Sequence, residues 1–323
     1  MRVLVTGGSG FIGSHVVDKL REKGIQVRVF DMVIPTFRSD IEFYHGSLLD
    51  LEAVRMALNG IDVVYHLAAI ADVKDVYNEP YYAESINVRG TINMLEAIRQ
   101  SSGVKRLIYG STTWVYGTAT EAVVDEQTPL RAPAHLYTAT KITSEYYCQC
   151  YRAMYNIPVT ILRYGIPYGP RARDGAVVPI FVGKVLRREP LTIAGDGSQF
   201  RKFVYVEDLA EGNVLALKPI AANKIYNLDG TEKVTIRQIA EAVQRLIGHA
   251  TIEQVPARPG DFSGKEVSSE LARRELGWEP RVRFEEGLRR YVAWYKEQLT
   301  KAEAGWATVD EALKSDALRA GSR

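Results

Sequence analysis

Tyr137 and Lys141 are four residues apart and could together carry out acid–base chemistry. Residues 137–155 are predicted to form a helix, and a spacing of four places both side chains on one face of it. A free tyrosine, with a pKa of about 10, is a poor base at neutral pH, but a neighbouring cation favours the phenolate and lowers that pKa. The pair therefore predicts a phenol that can take a proton from a hydroxyl group. Such pairs also occur on exposed helix surfaces, so this interpretation needs further support.

A run of hydroxyl side chains, Ser111-Thr112-Thr113, follows the predicted strand 106–110. A hydroxyl at the end of this strand could hydrogen-bond both a substrate oxygen and the phenol, which would align the proton transfer. A polar strand terminus without a catalytic role is the alternative interpretation.

A glycine-rich turn lies between the predicted strand 2–6 and a helical pattern. Its glycines allow two registers, Gly8-x-Gly10-x-x-Gly13 and Gly7-x-x-Gly10-x-x-Gly13. Strand, turn and helix in this order are typical of dinucleotide binding, because small residues let the backbone approach a pyrophosphate and the helix N-terminus supplies free N–H groups. A turn without a ligand remains the alternative for this motif alone.

Asp31 ends the second predicted strand, about 20 residues beyond the last glycine of the turn. A carboxylate there can accept both hydroxyls of an adenosine ribose and would repel a 2′-phosphate. Since no arginine follows it immediately, the sequence predicts NAD rather than NADP. A nicotinamide would also take up the hydride that leaves the carbon while Tyr137 takes the proton. An aspartate that merely begins a turn is the simpler alternative.

Composition narrows the function classes. The chain has 323 residues, with 41 basic against 39 acidic side chains and a net charge of +2, which argues against nucleic acid as a partner. No apolar run approaches the ~20 residues of a membrane span, and the N-terminus enters a strand directly, so we expect a cytoplasmic protein without a membrane partner. Cys148 and Cys150 would point about 200° apart on a helix, which predicts neither a disulfide nor a metal site.

Strands that alternate with helices predict an α/β fold, a Rossmann-type doubly wound parallel sheet. From Gly165 the sequence changes to loops rich in Gly, Pro and Arg, which predicts a smaller mixed α/β substrate-binding lobe. The predicted division is residues 1–165 plus about 204–222 for the NAD-binding lobe, 166–203 and 223–299 for the substrate lobe, and 300–323 for a peripheral tail with a weak helical stripe of Trp306, Val309 and Leu313.

Taken in series, these motifs resemble the extended short-chain dehydrogenase/reductase family, in its NAD-dependent sugar-nucleotide epimerase/dehydratase branch, which includes UDP-glucose 4-epimerases. The motifs are TGGSGFIG, the strand-end Asp31, HLAA, GSTTWVYG, YTATK, LRYGIPYGPR, GDGSQFRKFVYVEDLA and ELGW. The likeness runs from Met1 to about Leu299.

The resemblance implies roles for particular residues. Thr112, Tyr137 and Lys141 would be the catalytic set, with Lys141 also holding the nicotinamide ribose. The predicted cofactor-binding residues are Gly7, Gly10, Phe11, Ile12, Gly13, Asp31, Asp50, Leu51, Leu67, Ala68, Ala69, Asn87, Tyr137, Lys141 and Tyr164. The predicted substrate-binding residues are Thr113, Arg173, Arg201, Arg258 and Asp261, with Arg201 and Arg258 on the diphosphate, Asp261 on the nucleotide ribose, and Arg173 facing either a uronate carboxylate or solvent.

Two positions depart from the family pattern, and the first departure narrows the type of reaction. Dehydratases of this branch carry an Asp-Glu pair directly after the catalytic threonine, and decarboxylases usually keep the Glu; here the positions hold Thr113 and Trp114. An acid for expelling a hydroxyl is therefore missing, which disfavours dehydration. Ile166 stands where the family has an Asn that hydrogen-bonds the substrate.

The sequence thus predicts an NAD-dependent UDP-sugar 4-epimerase of the UDP-glucose/UDP-galactose type, which works by transient hydride transfer through a 4-keto intermediate. UDP-glucuronate 4-epimerisation or another nucleotide-sugar modification is the alternative, and a non-catalytic dinucleotide sensor is a third possibility. A homodimer is also expected, because Met94, Tyr146, Tyr147 and Tyr151 give the predicted helices 87–99 and 137–155 more apolar surface than one buried face needs.

Overall fold

A parallel sheet of seven strands forms the centre of the larger lobe in the computed structural model, which describes residues 1–248, 250–256 and 264–301. Numbered along the chain, the strands are β1 (Arg2–Thr6), β2 (Gln26–Asp31), β3 (Glu42–His45), β4 (Val63–His66), β5 (Arg106–Thr112), β6 (Val123–Val124), β7 (Val159–Tyr164), β8 (Ile166–Tyr168), β9 (Leu191–Ala194), β10 (Phe200–Tyr205), β11 (Ile225–Leu228), β12 (Lys233–Thr235), β13 (Ile252–Val255) and β14 (Glu266–Val267). The order in the large sheet is β11-β7-β5-β4-β1-β2-β3.

Helices cover both faces of this sheet. Along the chain, the helices of both lobes are α1 (Phe11–Glu22), α2 (Leu51–Ala57), α3 (Val73–Asn78), α4 (Pro80–Glu84), α5 (Gly90–Gln100), α6 (Leu136–Tyr155), α7 (Val177–Leu186), α8 (Val206–Leu215), α9 (Ile236–Ile247), α10 (Glu270–Leu276) and α11 (residues 284–301), of which α7, α9 and α11 pack in the core of the smaller lobe. The three central residues of strand β1 are apolar because both faces of the strand are buried: Val3 and Val5 pack in one core cluster and Leu4 in another. The predicted doubly wound parallel sheet is confirmed.

The smaller lobe holds a three-stranded sheet, β12-β10-β8, and the pair β13-β9. Its core is aromatic: Tyr168, Phe203 and Phe284 lie with ring centres 5.1 to 5.9 Å apart. The lobe boundaries differ from the prediction at two points. Residues 204–205 belong to β10 in this small sheet, and residues 225–228 form β11, which pairs with β7 at one edge of the large sheet. Such pairings join segments far apart in the chain, which local patterns do not reveal.

The helix predicted over residues 87–99 starts earlier, with α4, and continues through a π-helical segment, Ser85–Arg89, into α5. Met94, predicted to be surplus surface, is fully buried because α5 packs on the sheet. Tyr151 is half-buried and its hydroxyl donates to Glu96 over 2.6 Å, whereas Tyr146 and Tyr147 are exposed. The thiols of Cys148 and Cys150 are both free, the first buried and the second exposed.

Within residues 1–248, 250–256 and 264–301, no helix is both long and apolar enough to cross a bilayer. The same part of the chain contains no cluster of three or more His, Cys, Asp or Glu residues that could hold a metal ion.

His15 on α1 links the two lobes. Its Nε2 contacts the Pro170 carbonyl oxygen at 2.9 Å, and its Nδ1 lies 2.9 Å from the guanidinium of Arg171. The Arg171 guanidinium also donates from Nε to Nε2 over 3.2 Å, and a cation this close favours the neutral ring. Burial and the Arg171 charge lower the pKa of His15 to about 4.

This histidine should make stability depend on pH. The folded-state pKa lies below the ordinary 6.5, so the stabilisation is complete above pH 6.5 and is lost as the pH falls toward 4. We expect the unfolding free energy of the native chain to fall more steeply than that of His15→Gln, by about 1.4 kcal/mol per pH unit in this window. Urea unfolding at several pH values measures both slopes. His45→Gln, at an exposed position, should keep the native slope, and parallel curves for His15→Gln would contradict the prediction.

Candidate active site

The carboxyl ends of the central strands open into a cavity of about 670 Å³. Parallel strands deliver the residues that follow them to one edge of the sheet, so predicted residues far apart in sequence meet here. The predicted residues in its lining are Gly7, Gly10, Phe11, Ile12, Gly13, Asp31, Leu67, Ala68, Ala69, Thr112, Tyr137, Tyr164 and Arg173.

Three glycines of the turn, Gly7, Gly10 and Gly13, line the cavity, as the second of the two possible registers predicts. Gly7, with φ of +69°, lies so close to the next loop that an added Cβ would be 2.7 Å from the Cα of Ala68. A Cβ on Gly13 would be 2.1 Å from the carbonyl oxygen of Gly7. Gly8 instead packs against Val29 on the side of the turn away from the cavity lining. Because Gly7 and Gly13 have no side chains, the start of α1 can lie against the turn.

The start of α1 and Asp31 together fit a dinucleotide. Phe11 and Ile12 line the cavity in the first turn of α1, where backbone N–H groups have no acceptor within the helix and can bind a pyrophosphate. The Asp31 carboxylate accepts the N–H groups of Ser9 and Val33, each over 3.1 Å. Each of its oxygens keeps a lone pair for a ribose hydroxyl.

Replacing Asp31 with Asn should weaken NAD binding about 10-fold to 100-fold, because a charged acceptor for the ribose hydroxyls becomes neutral. The preference for NAD over NADP should shrink as well, since the repulsion of the 2′-phosphate is removed. Calorimetric titration with both nucleotides measures the two affinities. Asp40→Asn, which removes an exposed carboxylate that pairs with Arg38 and does not line the cavity, should leave the preference unchanged. An unaltered preference in Asp31→Asn would contradict this role.

Asn87 does not line the cavity but hydrogen-bonds the loop at Ile70, which does. Its side chain exchanges two hydrogen bonds with the backbone of Ile70, of 2.8 and 3.0 Å, and donates a third to Thr140 on α6 over 3.0 Å. Ile70 lines the cavity beside Ala68. The π-helical segment that carries Asn87 therefore fixes this loop against α6.

Tyr137 and Thr112 face the cavity from α6 and from the end of β5. The Tyr137 ring meets Trp114 edge to face, with centres 6.5 Å apart. Burial raises the pKa of Tyr137 to about 12, and the Arg173 guanidinium acts in the opposite direction. The Tyr137–Lys141 spacing predicts a pKa below the ordinary value of tyrosine, but burial outweighs the opposing Arg173 charge, so the pKa lies above that value.

Lys141 is almost fully buried behind the cavity wall. Its ammonium group donates to the Gly110 carbonyl oxygen over 2.8 Å and lies 4.9 Å from the centre of the Tyr109 ring. Burial lowers the pKa of Lys141 to about 8, and the Glu145 carboxylate opposes this shift. The helix thus places Lys141 one turn behind Tyr137, as the spacing predicts.

Several predicted residues lie outside the described cavity lining. Asp50 accepts the N–H of Ala53 over 3.0 Å and so caps α2, whose first residue is Leu51. Thr113 is buried in the 3₁₀ turn that follows β5, and Arg201 on β10 donates to the Phe200 carbonyl oxygen over 2.8 Å. Arg258, Asp261 and the tail residues Trp306, Val309 and Leu313 lie outside the described residues.

Two neighbours of the catalytic candidates are not predicted by the motifs. The Trp114 indole lines the cavity, and its ring centre lies 5.1 Å from that of His135. Glu145 follows Lys141 by four residues, and that spacing, which the sequence does offer as a signal, places a carboxylate on the same buried helix face.

A Rossmann-type sheet with a glycine cradle, and with the Tyr-x-x-x-Lys pair at its carboxyl edge, defines a dinucleotide-binding short-chain dehydrogenase/reductase. The chain belongs to the NAD dependent epimerase/dehydratase family, whose model matches residues 3–229. The predicted cofactor, NAD, is confirmed by this assignment, because the family is NAD-dependent.

Solved structures and curated relatives agree with this assignment. The chain is similar to the UDP-glucose 4-epimerase of Thermotoga maritima, solved with UDP-glucose, with 33% identity, 93% of this chain and 100% of that chain covered, and a TM-score of 0.87. For the Thermus thermophilus UDP-glucose 4-epimerase in complex with NAD, the identity is 36%, the coverage 92% and 99%, and the TM-score 0.84. The UDP-glucuronate 4-epimerase of Thermodesulfobacterium geofontis is 31% identical, with 92% of this chain and 96% of the relative covered. Other relatives are nucleotide-sugar decarboxylases and dehydratases.

Proposed function

We propose that this protein is an NAD-dependent 4-epimerase of UDP-sugars, of the UDP-glucose/UDP-galactose type. The observation that carries the proposal is that Tyr137 and Thr112 line the same cavity as the glycine cradle and Asp31. A sugar hydroxyl near the phenol would therefore lie beside a bound dinucleotide. The similarity to two UDP-glucose 4-epimerases supports the choice of substrate.

Each catalytic candidate has a distinct task in this proposal. Tyr137 accepts the proton of the sugar 4-hydroxyl and returns it later in the turnover. The Thr112 hydroxyl aligns that oxygen, and the Lys141 charge stabilises the phenolate from behind. NAD held by the glycine cradle and Asp31 supplies the hydride acceptor and donor, with no net redox change.

Trp114 favours epimerisation over dehydration. Its indole lines the cavity next to Tyr137, where related dehydratases and decarboxylases carry a carboxylate. An indole cannot protonate a leaving hydroxyl group, so elimination of water lacks its acid.

UDP-glucuronate is the second candidate substrate because of Arg173. This guanidinium lines the cavity, opposes the burial that raises the pKa of Tyr137, and pairs with Asp72 at 3.5 Å while remaining half-exposed. It could bind a sugar carboxylate in a bidentate fashion. The UDP-glucuronate 4-epimerase among the relatives favours the same possibility.

Incubation with UDP-glucose, UDP-galactose and UDP-glucuronate in turn tests the proposal. Chromatography should reveal a second sugar nucleotide with one of the hexose substrates and no accumulation of NADH. Conversion of UDP-glucuronate alone would favour the alternative substrate. Stoichiometric NADH would indicate a dehydrogenase or an oxidative decarboxylase, and no product from any substrate would favour a non-catalytic dinucleotide sensor.

We also propose a homodimer through α6, where Tyr146 and Tyr147 are exposed. Two aromatic side chains on one helix form an apolar surface suited to a two-fold contact. Light scattering should give about twice the mass of the chain, and a monomer at all concentrations would contradict the proposal.

A further inference from the structure

Glu145 is the centre of a buried network behind the catalytic candidates. Its carboxylate is fully buried, accepts the Ser111 hydroxyl over 2.5 Å, and binds the Arg163 guanidinium through two contacts of 2.6 and 3.0 Å. Arg163 in turn donates to the Tyr116 hydroxyl. A charge in the protein interior is costly unless it is paired and hydrogen-bonded, and this carboxylate is both.

The network joins the two elements that carry the catalytic candidates. Ser111 lies on β5 between Gly110, whose carbonyl oxygen binds Lys141, and Thr112, which lines the cavity. Glu145 lies on α6, one turn after Lys141 and two turns after Tyr137. The hydrogen bond from Ser111 to Glu145 thus fixes the end of β5 relative to α6.

The charges around Lys141 give Glu145 a second task. The titratable groups that act on Lys141 or are influenced by it are Glu145 and Cys148 on α6, Tyr109 on β5 and His66 on β4, and Arg163 on β7 pairs with Glu145. Burial raises the pKa of the Tyr109 hydroxyl and of the Cys148 thiol, and lowers the pKa of His66 to about 3, so all three stay neutral. Among these groups Glu145 is the anion that favours the charged form of Lys141.

We propose that Glu145 is a positioning residue: it ties β5 to α6 through Ser111 and is the counter-charge that keeps the Lys141 ammonium protonated behind Tyr137. The catalytic part of this inference rests on the proposed function, whereas the effect on Lys141 does not.

NMR titration of the full chain labelled with ¹³Cε-lysine tests the electrostatic part without any turnover. The Lys141 signal is assigned by its loss in Lys141→Arg. Glu145→Gln should lower the pKa of Lys141 by about one pH unit or more, which is at least about a tenfold change in its protonation equilibrium. Glu145→Asp, which keeps the charge, should restore most of the native value. Glu96→Gln removes a carboxylate of a surface Glu–Arg pair and should leave Lys141 unchanged.

Measurements of activity then separate the two tasks of Glu145, the counter-charge for Lys141 and the tie between β5 and α6. In Glu145→Gln the basic limb of the pH profile of kcat/KM should move to lower pH by the same amount, because Lys141 loses its proton earlier. Ser111→Ala keeps the charge but cuts the tie between β5 and α6, so kcat should fall about 10-fold to 100-fold with the basic limb unmoved.

If Glu145→Gln does not fold, the double variant Glu145→Gln/Arg163→Gln removes both buried charges, and the pKa of Lys141 should still fall. An unchanged pKa of Lys141 in whichever variant folds would overturn the proposal. A lowered pKa in a protein that converts no UDP-sugar would leave the counter-charge standing and remove the proposed function instead.

Discussion

Tyr137→Phe should lower the kcat of epimerisation about 10²-fold to 10⁴-fold, the contribution that a positioned acid–base group makes to a barrier, or about 3 to 5 kcal/mol. The ring remains, so its edge-to-face contact with Trp114 and the shape of the cavity should persist. Only the proton carrier is lost. NAD and UDP-sugar should therefore still bind, and the effect should fall on kcat rather than on KM.

Steady-state kinetics with calorimetric NAD titration checks this separation. Tyr147→Phe is the matched control, because Tyr147 is an exposed tyrosine on the same helix and should retain native turnover. A Tyr137→Phe protein with turnover within about threefold of the native value would remove the phenol from the mechanism.

Gly13→Ala should weaken NAD binding about 100-fold or more, equivalent to about 2.7 kcal/mol. The added Cβ would lie 2.1 Å from the Gly7 carbonyl oxygen and 2.9 Å from the Gly8 Cα, both backbone atoms that cannot turn aside. Helix α1 must therefore move away from the turn, and its free N–H groups move with it. The strain should also destabilise the fold by about 1 to 3 kcal/mol.

Gly24→Ala is the control for this substitution. Gly24 follows α1 at its other end, with φ of +73° and no atom within 4 Å of an added Cβ, so alanine there strains the backbone without touching the cavity. Its unfolding temperature should fall slightly while NAD affinity stays native. If Gly13→Ala binds NAD as tightly as Gly24→Ala, the close approach of turn and helix is not what forms the cradle.

The sequence predicted the parts of the fold that local patterns determine. Central strands such as β1 are apolar on both faces, and the glycine turn and Asp31 lie directly after strands, so their place at the sheet edge follows from the topology of parallel sheets. Tyr137 and Lys141 were predictable because a helix fixes the relation between residues four apart.

The remaining features depend on contacts between distant segments. Strand β11 joins the large sheet by pairing with β7, about 60 residues earlier in the chain. No local sequence pattern indicates that β7 is its partner. Met94 is an apolar residue of the kind found at interfaces. Its side chain is buried because α5 packs on the sheet with this face inward, and the local sequence does not determine which face that is. The pKa of Tyr137 follows from how much solvent the folded chain removes, which spacing alone cannot give.

The most direct measurement of the central claim uses UDP-glucose with deuterium at C4. If Tyr137 moves the proton of the 4-hydroxyl while the hydrogen on the carbon goes to NAD and returns, UDP-galactose should form with the deuterium still at C4 and with no net NADH. Mass spectrometry of the separated product and absorbance at the NADH wavelength read both outcomes in one sample. Loss of the deuterium to solvent, or accumulation of NADH in proportion to product, would contradict the account.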